Sequence, residues 1–185
     1  MSHPQLRELA ISSFTFSGMQ MCLGSYLVVA LTARAGFSIT AAGAALSVAM
    51  IGGVIGRLAW GVVADWWFSP RSLLGFLGVT MSAAAFFMAA VSTQWPVVAI
   101  YLLAFVFGAS AVGWNGVYLA EVARIAPTGR AGAATGASLA MTYSGVVVLP
   151  LLFWVVQMST ESYGTAFVSI GVLSLFRGLL FYRSR

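Results

Sequence analysis

The chain has no lysine, one histidine (His3), one cysteine (Cys22) and only four acids, Glu8, Asp65, Glu121 and Glu161, in 185 residues. A lone cysteine excludes an internal disulfide. One histidine and four scattered acids exclude a metal cluster and a Ser-His-Asp arrangement, so neither an enzyme nor a bound cofactor is expected. Charged residues make up 7% of the sequence, far below the quarter to a third or so that covers a water-facing surface. What replaces them is apolar: 61% of the residues are hydrophobic.

The charge-free runs are 9–33, 35–56, 72–120, 131–160 and 162–176. About 20 apolar residues cross a bilayer core, so the 72–120 run holds two spans. Its break is Ser92-Thr93-Gln94-Trp95-Pro96, a polar turn, an interfacial Trp and a Pro suited to a first helical turn. This predicts an all-α polytopic membrane protein, one bundle over 1–185, with helices near 9–32, 38–65, 72–91, 96–120, 131–156 and 163–182. The short connections leave no room for a soluble domain.

The net charge of +5 comes from nine arginines that stand mostly at span ends. They read as topology signals, with no nucleic-acid partner implied. Arg7, Arg71, Arg124, Arg130, Arg183 and Arg185 fall on one side of the membrane and Arg34 on the other. The expectation is a protein of the cell membrane with both termini cytoplasmic. Ala33-Arg34-Ala35 has the spacing of a signal cleavage site, but the run before it is too long for a signal peptide's apolar region, and the first span is expected to stay.

Spans two and five open alike, Ala42-Gly43-Ala44-Ala45 and Ala131-Gly132-Ala133-Ala134, and each carries a later Gly-Val, Gly53-Val54 and Gly145-Val146. Half a chain separates them. Two three-helix repeats follow, inverted because an odd number of crossings reverses the second copy, an arrangement found in secondary transporters. Span two also carries small residues at Ala45, Ala49 and Gly53, a spacing continued by Arg57, Gly61 and Asp65, which suits either fixed helix packing or a moving contact.

After span two the chain reads Gly61-Val62-Val63-Ala64-Asp65-Trp66-Trp67-Phe68-Ser69-Pro70-Arg71. In Gly61, Asp65 and Arg71 it resembles the major facilitator superfamily, although Trp66 replaces the usual base after the Asp and no glycine precedes Arg71. The stretch from Gly113 through Glu121 to Gly136 is similar to the tenth and eleventh helices of such transporters. The resemblance covers the chain as the C-terminal six-helix half of a twelve-helix fold.

That resemblance implies secondary transport of a small solute by alternating access, with the substrate site between two halves. It implies a second copy, or a separate six-helix half, as partner within the lipid bilayer. It makes Gly61, Asp65 and Arg71 parts of a cytoplasmic gate, with a helix-end cap and topology marker as the second reading of Asp65. Arg57, too deep to be a topology signal, would cost about 2.5–3.5 kcal/mol facing lipid and joins the gate residues, facing protein or a water-filled cavity. Ser13, Ser17 and Gln20 share one face of span one with Gly24. Together with Ser110 and Asn115 of span four and Thr142 of span five, they are expected either to line a solute pathway or to bond helix to helix. In span four, Trp114 and Tyr118 serve as aromatic surface or as interface markers, with Trp114 and Asn115 pointing different ways. Pro150 predicts a bend in span five. A membrane protein that assembles with a full transporter, or a fragment of one, is the other reading.

Overall fold

The computed structural model describes residues 4–183. His3 and Arg185 lie outside them, as does the side chain of Arg183. The helices are α1 (Pro4–Ala35), α2 (Ile39–Trp66), α3 (Pro70–Ala90), α4 (Val97–Ala111), α5 (Asn115–Ile125), α6 (Ala131–Thr160) and α7 (Tyr163–Arg183). Taking α4 and α5 as one span, six helical segments are long and apolar enough to cross a membrane.

The connections follow local chemistry. Ser38 caps α2 by accepting from the Ala41 N–H at 3.2 Å, and Ser69 caps α3 the same way from Ser72 at 3.3 Å, with Pro70 at the first helical position. The polar turn at Ser92–Pro96 separates α3 from α4 where the sequence placed it.

The fourth span departs from the single helix predicted over 96–120. It breaks at Val112–Trp114 and resumes as α5, which runs on to Ile125. The cause lies across the interface. At Gly113 a side chain would meet the α2 backbone at Gly56, 3.0 Å away, and the Trp60 ring at 2.9 Å. Two α2 side chains serve carbonyls at the break: Trp60 Nε1 donates to Ala109 O at 2.8 Å, and Arg57 reaches Val112 O at 3.5 Å. Non-helical backbone at membrane depth needs such replacement partners.

Three helix pairs make the bundle: α1 with α6, α2 with α4, and α3 with α7. Small residues allow the close approach. A Cβ on Gly108 of α4 would overlap the Ala49 carbonyl of α2, and one on Gly145 of α6 would overlap the Phe14 carbonyl of α1. Serines bind the third pair, Ser82 donating to Gly171 O at 2.8 Å and Ser174 to Gly78 O at 2.9 Å. Between the pairs the core is filled by Phe16, Phe107, Trp114, Phe153, Phe167 and Phe181, all essentially inaccessible.

The small-residue stripe of α2 splits. Ala45, Ala49 and Gly53 are buried, Gly53 against Val112. Arg57 and Asp65 are exposed, and nothing lies within 4 Å of a Cβ built on Gly61. Helix α6 runs unbroken through Pro150, whose carbonyl accepts from the Tyr26 hydroxyl at 2.9 Å while the Tyr26 ring stacks on Phe153 at 4.2 Å.

Candidate solute cleft

Ser17, Gln20 and Met21 of α1, Arg57 of α2, Asn115, Gly116 and Leu119 of α5, and Leu139, Thr142, Tyr143 and Val146 of α6 line an open cleft of about 430 Å³. Its depth follows from helix register. Arg57 lies nine residues before the end of α2, Asn115 ten before the end of α5, and Thr142 eleven after the start of α6. With short connections those three ends share one side of the bundle, so at 1.5 Å per residue the cleft sits roughly 14–16 Å deep. The three segments are 28, 29 and 30 residues long, so the cleft lies about 5–7 Å from their midpoints, toward that side.

The helix break delivers Asn115 there. It opens α5, is half-buried, and donates Nδ2 to Gln20 Oε1 at 3.1 Å across to α1. Arg57 projects into the same cleft, its one hydrogen bond among the described residues the 3.5 Å contact with Val112 O.

The polar stripe of α1 divides by depth. Ser17 donates to Thr142 O at 2.7 Å, Thr142 donates to Ser13 Oγ at 2.9 Å, and Ser13 donates to Ala10 O at 2.8 Å. Ser13 is fully buried in this α1–α6 joint, whereas Ser17 and Thr142 also edge the cleft. A Ser13→Ala, Thr142→Val double-mutant cycle should give a coupling of about 0.6 kcal/mol, the usual worth of such bonds between membrane helices. Zero coupling in reversible unfolding would remove the joint from the account.

Ser110 stays out of the cleft, fully buried and bonded to Val106 O and Phe107 O of its own helix. Trp114 and Tyr118 mark no membrane interface. Both are buried, in edge contact with each other at 5.2 Å, and Trp114 meets Phe16 at 5.7 Å. Trp114 and Asn115 therefore do point apart, one into the core and one into the cleft.

The loop residues do not form one cluster. Arg71 pairs with Glu8 of α1 and lies 5.9 Å from the centre of the Phe181 ring. Asp65 ends α2 exposed, with no ion pair among the described residues. Glu121, buried completely, binds both Nε and Nη2 of Arg124 at 2.7 and 2.8 Å, although Arg124 is 64% exposed. Glu8→Gln should lower the melting temperature by a few degrees, because it removes the charge of a carboxylate paired with a partly buried guanidinium. An unchanged melting temperature would show that the pair contributes nothing to the fold.

Sequence reasoning missed Tyr143 and the apolar walls Met21, Leu119, Leu139 and Val146. Tyr143 was legible only as the neighbour of Thr142, about 100° further around the helix. Compared with models of known protein families and with curated proteins, the chain matches none.

Proposed function

We propose that this chain is one half of a secondary transporter of the major facilitator type, moving a small solute by alternating access, in the cell membrane with both termini cytoplasmic. The observation that carries the proposal is the cleft itself: polar side chains from four spans meet near the middle of those spans on an open face of the bundle. Transporters built from repeats place substrate at that depth, between repeats.

The helix pairing supports an inverted repeat. Exchanging the first three spans for the last three turns the α1/α6 pair into α2/α4 and leaves α3/α7 as it is. The glycines matched by the repeat take matching positions, Gly53 packing against the fourth span and Gly145 against the first. The Gly61, Asp65 and Arg71 motif adds to this reading, with Asp65 free to meet a group on a second half.

The open face of the cleft supports a second half that would cover it. The simplest partner is a second copy. Mild extraction followed by light scattering, with detergent and lipid subtracted, should give twice the 19.5 kDa chain. Liposomes holding that assembly should then exchange solute by counterflow. A single chain that never pairs and moves nothing would instead support an accessory membrane protein.

A further inference from the structure

We infer that the cleft takes a small organic anion, its carboxylate on Arg57 and its apolar part against Met21, Leu119, Leu139 and Val146. The inference rests on the reading of this cleft as the solute site, and adds the chemical class of the solute.

A guanidinium carries five N–H donors, and Arg57 uses one of them, in a long 3.5 Å bond to Val112 O. No acid lines the cleft. Glu8 is held by Arg71 and Glu121 by Arg124. Asp65 stands two turns further along α2, roughly 12 Å away by helical rise, and Glu161 follows α6 at the opposite end of the bundle. The cleft therefore offers one positive charge without a fixed counter-charge among the described residues.

Asn115 gives its amide hydrogen to Gln20 Oε1, which leaves the Gln20 amide hydrogens for an anion held by Arg57. Tyr143, 65% exposed, brings a phenol from α6. Such planar donors suit the two oxygens of a carboxylate. Met21, Leu119, Leu139 and Val146 add aliphatic and thioether walls, which inorganic phosphate would leave wet and an anion with an apolar group covers.

The test uses the purified full chain and three probes of one shape: benzoate, benzyl alcohol and benzylamine, each at constant ionic strength. Benzoate should raise the melting temperature while the neutral and cationic probes do not, and phosphate should do less than benzoate. Arg57→Gln should weaken benzoate binding by about tenfold or more, the worth of a charge-assisted hydrogen bond. Should that variant not fold, Asn115→Ala, which keeps the charge, should still weaken benzoate several-fold. Equal stabilisation by benzylamine or phosphate, or full binding by the variant that does fold, overturns the inference. Counterflow separates it from the transport reading. Exchange of a neutral solute without benzoate binding sinks the anion and leaves transport standing; benzoate binding without exchange of any probe does the reverse.

Discussion

Replacing Gly108 by valine is expected to leave little or no folded bundle. A first side-chain carbon there would overlap the backbone of Ala49, and backbone within an intact helix cannot swing aside as a flexible side chain can. Helices α2 and α4 would have to part along the whole contact that includes Gly52, Gly53 and Gly56. Overpacking commonly costs about 1–3 kcal/mol, and here it also withdraws van der Waals contact, a main source of attraction between helices in lipid. The same change at Gly43 of α2, where a Cβ would have nothing within 4 Å, should leave folding intact. Size-exclusion profiles in mild detergent compare the two: aggregate for Gly108→Val and a sharp peak for Gly43→Val. Two sharp peaks would show that the α2–α4 contact is looser than described.

The second large effect is expected at Arg57. Leucine there removes a charge costing about 2.5–3.5 kcal/mol at a helix centre, so membrane insertion should hold or improve. Flux should nevertheless fall by about tenfold or more, the loss of one charged hydrogen-bonding partner. Lysine should fall between the two, since it keeps the charge without the planar fork. Flux is measured in liposomes at matched protein content. Equal flux for wild type and Arg57→Leu would free Arg57 of any part in transport.

Hydropathy made six spans readable because lipid selects for uninterrupted apolar length, and that property is written locally along the chain. The Ser92–Pro96 turn was readable for the same reason. The break at Val112–Trp114 was not, since Gly113 between Val112 and Trp114 carries no stop signal of its own. It depends on Gly56, Trp60 and Arg57 of another helix. The stripe from Ser13 to Gln20 was visible as one helical face, but spacing does not say which neighbour that face meets at each depth. α6 closes over Ser13 while the cleft opens at Gln20. Ser110 looked equally polar and faces its own helix. Arg57 stood out because a charge in an apolar span demands an explanation, whereas the pairing of Arg71 with Glu8 of another helix left no mark in the loop motif.

The most direct test of a water-filled pathway on this face is thiol accessibility. Cys22 is buried, so a Cys22→Ala background makes room for single cysteines. Two belong in the cleft, at Leu119 and Tyr143, and two on the outer face of α3 and α4, at Phe87 and Leu102, where the groove is wholly apolar. All four native residues are exposed, by 38%, 65%, 57% and 62% respectively. Burial alone therefore does not separate them. Only a thiolate reacts with maleimide, and it forms in water rather than in hydrocarbon. In membranes opened to both sides, a charged, water-soluble maleimide should label positions 119 and 143 and spare 87 and 102. Labelling of the outer pair with protection of the cleft pair would place lipid where this account places the solute.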